Sequence, residues 1–252
     1  MGELAAERLQ KLMAAAGLCS RRQAETLLRQ GLVQVNGALA QLGDRADPAS
    51  DRISVRGQAL AARPEPMLLL VNKPVGVLCT CRDPRGRPTV LELLPAELRQ
   101  GRGLHPVGRL DADSRGALLL SNQGDLTLRL SHPRYGHRKT YRVWVEGRPS
   151  AQALARWADG VPLDGQPSQP VGLRLIQQTT QQTSQETSQA TELELVMGEG
   201  RNRQIRRTAA LLGHPVLDLQ RWAIGSLRLA DLPEGGWRRL DHQEWQALKL
   251  LS

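Results

Sequence analysis

The segment Gly108–Asn122, GRLDADSRGALLLSN, carries two carboxylates on one short turn just ahead of an apolar run from Ala117 to Leu120. A carboxylate in that position can cap the element behind it, sit in water, or act on a substrate as nucleophile or proton acceptor. Paired acids also suit hydrolysis of glycosidic bonds, but such pairs flank the scissile bond. Asp111 and Asp113 are too close along the chain for that. His105, His132 and His214 each adjoin a proline and read as loop residues, not as an acid–base set.

Two further groups invite chemistry. GEGRNRQIRR, Gly198 to Arg207, places four arginines within 201–207 behind a pair of glycines. A glycine-flanked basic loop entering a helix suits phosphate, through backbone N–H groups and guanidinium forks. KTYRVWVEG, Lys139 to Gly147, carries a cation and a tyrosine on one strand. Cys79-Thr80-Cys81 is half a metal-binding pattern with no second pair following, so no metal is expected.

The elements that must hold these groups can be read from periodicity. Met67 to Val71 is a continuous apolar strand, and NKPVGVLCT after it turns at Pro74 and Gly76. CRDPRGRPTVLELLP reads as a basic loop and then a short helical piece over Val90–Leu94. The run Ala117–Leu120 is a buried strand or a buried helix segment; four residues do not separate the two. Tyr141, Val143 and Val145 alternate on one strand face. Ser150 caps a helix that Gly160 stops. VGLRLI, ELELVM and VLDLQRWAIGSLRL are strands, and RRTAALLGHP is a helix ended by Gly213. Strands predominate without strict alternation, so the fold expected is α+β, a mixed and mostly antiparallel sheet with flanking helices.

Ahead of residue 61 the pattern changes. Leu9, Leu12, Met13 and Ala16 recur at helical spacing up to Gly17, and Ser20 opens a second helix with a capping box closed by Gln23. Val33 and Val35 lead into the Asn36-Gly37 hairpin turn, and Ile53 and Val55 make another short strand. Arg21 and Arg22 lie in the first turn of the second helix, where the helix dipole disfavours cations, so they are expected to contact phosphate. Residues 1–60 form this small domain, 61–66 (AARPEP) a proline-stiffened linker, and 67–252 the larger domain. Within the latter, Gln177–Ala190 is low-complexity and polar, and is expected to be a flexible hairpin extension.

Composition limits the partners. Lys and Arg number 34 against 25 acids, a net charge of +9. That surplus points to a polyanion. No apolar stretch is long enough to span a bilayer, and the N-terminus lacks the order of a signal peptide. Three cysteines fit a reducing compartment. A cytoplasmic, monomeric protein without membrane contact is expected.

Four motifs, in order, resemble the bacterial ribosomal-RNA pseudouridine synthases of the RsuA type. GRLDADSRGALLLSN is similar to that family's signature: Gly-Arg-Leu-Asp, two residues, Ser or Thr, one residue, Gly, then an apolar run. LLLVNKPVGVLCT looks like its opening strand and turn, KTYRVWVEG like its tyrosine-bearing strand, and GEGRNRQIRRTAALLGHPV like its basic motif. Residues 6 to 57 resemble the alpha-L RNA-binding domain, the family's usual attachment. Ala117, Ser121 and Thr208 depart from its commonest residues.

The resemblance implies a fold of alpha-L domain plus synthase domain. It implies isomerisation of uridine to pseudouridine in ribosomal RNA or an assembly intermediate, the large subunit favoured over the small, with no cofactor. Asp111 would be the catalytic acid, attacking the sugar or removing a proton; both routes stay open. Asp113 would be a turn or capping group. Arg206 would keep Asp111 ionised, with Arg207 as the alternative neighbour. Tyr141 would stack on the target base, and Arg109 would fill the space left when the base flips out. Lys139, Arg201, Arg203 and Arg207 would contact the RNA backbone. A non-catalytic RNA-binding protein would use the same basic surface, with Asp111 merely solvated.

Overall fold

The computed structural model describes residues 6–182 and 187–250. Its N-terminal part runs β1 (Glu7–Arg8), α1 (Leu9–Ala15), α2 (Arg21–Arg29), β2 (Val33–Val35), β3 (Ala38–Leu39), β4 (Arg45–Ala46), β5 (Ile53–Val55) and β6 (Gln58–Ala59). Leu9, Leu12 and Met13 of α1 pack with Ala24 and Leu28 of α2 and with Val33, Ile53 and Val55. Ser20 Oγ accepts from Gln23 N at 3.2 Å, and Gln23 Oε1 accepts from Ser20 N at 3.0 Å, so the capping box read from the sequence is formed. Asn36 and Gly37 both adopt positive φ, which gives the β2–β3 hairpin its tight turn.

The larger part continues β7 (Leu68–Lys73), α3 (Ala96–Arg99), β8 (His105–Val107), β9 (Arg115–Ser121), α4 (Gly124–Ser131), β10 (Lys139–Glu146), α5 (Ala151–Asp159), β11 (Pro162–Leu163), β12 (Gln166–Pro167), β13 (Gly172–Gln182), β14 (Thr187–Met197), α6 (Gln204–Leu211), β15 (Val216–Ile224), β16 (Leu227–Arg228), β17 (Trp237–Arg239) and α7 (His242–Leu250). One sheet orders them β13-β14-β10-β15-β9-β7-β17, with β16 on β15 and β8 on β9. All its pairs are antiparallel except β15 with β9. The fold is therefore α+β on a mixed, mostly antiparallel sheet.

The central strands explain the ambiguous apolar run. Ala117 and Leu119 of β9 join Leu68 and Leu70 in one core, while Leu118 and Leu120 join Leu69 and Val71 in another on the opposite sheet face. A strand covered on both faces has no polar side, so its sequence shows no alternation. Towards the other edge only one face is covered. Tyr141, Val143, Val145, Leu193, Leu195 and Leu219 pack against Trp157 of α5 and Ile205 and Ala209 of α6. Here the period of two is plain in the sequence.

Residues 177–182 and 187–190 of the polar insertion are paired strand, the β13–β14 ladder running out to Gln182 opposite Thr187. Residues 183–186 lie outside the described residues.

The two parts touch. Lys11 Nζ lies 3.3 Å from Asp125 Oδ1 on α4. Gly17, at φ +75°, backs onto the 101–103 turn so closely that a Cβ there would stand 2.5 Å from Gly101 O. Among the described residues no helix is long and apolar enough to cross a membrane.

Candidate active site

The turn that carries the two acids is built by its neighbours. β8 ends at Val107, Gly108 takes φ +74°, and Ser114 N closes the turn on Asp111 O at 3.1 Å. The chain then enters β9, whose Gly116 runs parallel to β15 beside Arg221. A Cβ on Gly116 would stand 2.3 Å from Arg221 O, so the glycine of the motif is demanded by backbone approach.

Asp111 lies where two hollows meet. One, of about 250 Å³, is floored by β10 and β15 and walled by Gly198–Arg206; Arg109, Asp111, Lys139, Tyr141 and Arg221 line it. The other, about 400 Å³, lies under the basic loop and is lined by Cys79, Arg82 and Arg87, and again by Arg109 and Asp111. The sequence groups singled out above, far apart in the chain, thus converge. Asp111 keeps 36 % of its side chain exposed, open to an incoming substrate.

The charge pairing differs from the expected one. Arg203, not Arg206, is the guanidinium nearest Asp111, at 3.6 Å. Arg203 also grips Asp113 through two hydrogen bonds of 2.8 and 3.1 Å. Arg206 serves the same turn from behind. Its Nη2 donates to Asp113 O at 2.6 Å and to Ser114 Oγ at 3.3 Å, and its buried Nε is 3.4 Å from Asp113 Oδ2. The cause is helical geometry. Arg203 caps α6 in a left-handed conformation, and Arg206 lies three residues on, on the same face. Asp113 is thus the hub of this network and more than a turn residue. The hydrogen bonds from Arg203, and the nearby charge of Arg206, hold its carboxyl below the usual range.

Other predicted residues fall into four groups. Tyr141 is 9 % exposed on the floor of the hollow, with Lys139 beside it. Arg109 is exposed and borders both hollows. Arg201 and Arg207 are engaged by the hairpin of β11 and β12. Arg201 donates to Gln166 O at 3.0 Å and Pro167 O at 2.5 Å, and Arg207 forms a two-pronged pair with Asp164 at 2.6 and 3.0 Å. Arg201 still lines the hollow; Arg207 does not. Arg21 and Arg22 are exposed on α2, in the N-terminal part.

Behind the turn lie three more residues, of which sequence reasoning missed Lys73 and Arg221 and read Cys79 only as half a metal-binding pattern. Lys73 is fully buried, its Nζ donating to Pro74 O at 2.8 Å, and burial pushes it below its ordinary value. Cys79 Sγ accepts from Leu110 N at 3.2 Å. Burial raises the Cys79 thiol. Arg221 is 3 % exposed beneath Arg109 and Leu110. The alternation Leu219–Arg221–Ala223 was a usable signal, because it puts a guanidinium on the buried face. Among the described residues no three His, Cys, Asp or Glu side chains are grouped to hold a metal.

The chain is similar to known proteins over most of its length. Residues 67–211 match the family described as RNA pseudouridylate synthase, and residues 7–53 match the S4 domain. Over 247 residues the chain is 36 % identical to "Ribosomal large subunit pseudouridine synthase B" of Bacillus subtilis, covering 98 % of this chain and 97 % of that one. The Pseudomonas aeruginosa protein of the same name is 37 % identical over 94 % of this chain and 60 % of its own length. A crystal structure titled as a pseudouridylate synthase superposes with a TM-score of 0.67 at 30 % identity, over 96 % of this chain and 99 % of that one.

Proposed function

Because this chain belongs to the RNA pseudouridylate synthase family, we propose that it converts uridine to pseudouridine in ribosomal RNA, that of the large subunit. The reaction breaks the bond from ribose C1′ to uracil N1, turns the base, and joins C1′ to C5. The C5 proton is lost and N1 gains one, so nothing is consumed. The names of the Bacillus and Pseudomonas relatives support the large subunit as the source of the RNA.

The observation that carries this reading is the place of Asp111 at the junction of the two hollows, 3.6 Å from the Arg203 guanidinium, with Tyr141 on the adjoining floor. Asp111 acts on the ribose of a flipped-out uridine, as nucleophile at C1′ or as base at a sugar proton. Arg203 places its positive charge beside that carboxylate. Arg206 fixes the turn from the other side through Asp113 and Ser114. Tyr141 offers its ring to the uracil. Arg109 takes the place vacated in the RNA stack, and Lys139 and Arg201 line the approach of the strand. Arg21 and Arg22 of the S4 domain hold the folded RNA at a distance from the chemistry. The substrate is free rRNA or a precursor particle, and the enzyme works as a monomer in the cytoplasm.

The test is tritium release from large-subunit rRNA labelled at uridine C5. Release by the wild type and none by Asp111→Asn, which still binds the RNA, is the expected result. Equal release by both proteins would reject Asp111. Binding without release from rRNA or from immature subunits would leave a protein that only binds.

A further inference from the structure

Among the described residues Arg221 has no anionic partner, and the proposed reaction generates an anion on the base. The side chain stands on β15 directly across from Tyr141 of β10, so the two share a floor. It is 3 % exposed. Its Nε donates to Ala117 O at 2.6 Å and its Nη1 to Arg109 O at 3.4 Å. Both acceptors are neutral carbonyls. Its Nη2 is buried and unpaired, and among the described residues the guanidinium forms no ion pair.

The surroundings add positive charge rather than compensate it. Lys139 lines the same hollow, and burial together with the Arg221 charge pushes it below its ordinary value. An uncompensated buried guanidinium is costly, and so is a buried donor without an acceptor. Among the described residues no protein group supplies that acceptor, and the hollow that Arg221 lines has room for an occupant that does.

We infer that Arg221 is a substrate-contacting residue that takes up the negative charge of the uracil when the C1′–N1 bond breaks. Heterolysis leaves the electron pair on the base, and the charge spreads over N1, O2 and O4. A carbonyl oxygen of the departing base is the acceptor that Nη2 lacks. The group is fixed in place before the reaction, by Ala117 O and Arg109 O, which is the condition for strong stabilisation of developing charge. The base is favoured over a phosphate by position. The phosphate-binding candidates Arg109, Arg201 and Arg203 stand at the rim, whereas Arg221 lies on the floor among Tyr141, Leu219 and Ile224. Arg109 O as a partner also ties the charge-accepting group to the turn that carries Asp111.

This inference rests on the synthase reading, and the experiment separates the two. An rRNA fragment carrying the mapped target is prepared with uridine or with 5-fluorouridine, whose base leaves more readily because fluorine stabilises the uracil anion. Single-turnover loss of the starting nucleoside is followed by nucleoside chromatography, because the C-linked product of 5-fluorouridine keeps its fluorine at C5 and takes up water across C5–C6, and tritium release is a second readout for the uridine substrate. Arg221→Gln should slow the uridine reaction about 100-fold or more while RNA affinity is kept. Its loss on the fluorinated substrate should be at least about tenfold smaller, since a better leaving group needs less help. Arg221→Lys keeps the charge and should fall between wild type and Arg221→Gln in both rate and fluorine sensitivity. That variant carries the test if Arg221→Gln does not fold.

Equal losses on the two substrates would overturn the assignment. Weaker RNA binding with a reduced salt dependence and unchanged fluorine sensitivity would make Arg221 a phosphate contact instead, and would overturn it too. No conversion of uridine by the wild type, in rRNA and in immature subunits alike, would overturn the synthase reading itself, whatever the variants do.

Discussion

Arg203 donates two hydrogen bonds to Asp113, 2.8 and 3.1 Å long, and stands 3.6 Å from Asp111. One guanidinium therefore spans both carboxylates of the turn, held by one and facing the other. Asp113 positions the cation that Asp111 needs. Removing its charge loosens Arg203 and ends the 3.4 Å ion pair with Arg206, whose bonds to Asp113 O and Ser114 Oγ remain, without touching Asp111. Asp113→Asn should lower the single-turnover rate about 10²-fold, the scale of a misplaced catalytic group, with little change in RNA affinity. Asp111→Asn should lose about 10³-fold or more. The two rates, measured on one rRNA fragment, check this ordering.

The same pairing makes a prediction about acid. Arg203 holds the Asp113 carboxyl below its ordinary 3.8. A depressed carboxyl contributes stability that is complete above the unfolded value and is lost as pH falls through the folded one. The wild type should thus lose stability to urea below pH about 4 more steeply than Asp113→Asn does. The difference should be small, because 45 % of the Asp113 side chain faces water. Parallel urea curves for the two proteins from pH 5 to pH 3 would show that the pair contributes nothing to folding.

How much of this was legible depends on where each signal lies. The N-terminal domain could be read almost entirely, because helix caps and the Asn36-Gly37 turn act over a few residues. Single-faced strands such as β10 could be read from their alternation. The run Ala117–Leu120 could not be assigned, because both its faces are buried. The basic motif could be read as a group, but not by the partner of each arginine. Arg201 and Arg207 are held by the hairpin around Asp164, some forty residues earlier in sequence, and no local pattern announces that contact. Arg221 was passed over as one cation in a basic chain. Only the structure shows that it is buried with an unpaired nitrogen.

The glycines of the signature differ in what they require. Gly116 leaves no room, since an added Cβ would lie 2.3 Å from Arg221 O, and its φ is +111°. Gly108 also has positive φ, +74°, but nothing lies within 4 Å of an added Cβ. Gly108→Ala should cost about 1–2 kcal/mol, the ordinary penalty of a left-handed residue. Gly116→Ala should cost about 3 kcal/mol or more, because β9 and β15 must separate. Urea unfolding of the two variants checks the contrast. Equal costs would mean that the parallel β9–β15 junction yields easily.

Arginines that bind RNA and arginines that hold the fold can be told apart by salt. Arg21 and Arg22 are exposed on α2, and neither forms an ion pair among the described residues. Each guanidinium that neutralises a phosphate adds about one unit to the slope of log affinity against log salt. Arg21→Ala with Arg22→Ala should reduce that slope by about two and leave the single-turnover rate at saturating enzyme unchanged. Arg207, locked onto Asp164 at 2.6 Å, should behave in the opposite way. Arg207→Ala should leave the slope as it is and instead loosen the 162–167 hairpin, which faster amide exchange there would reveal. A slope reduced by Arg207→Ala and untouched at Arg21 and Arg22 would move the RNA from the S4 domain onto α6.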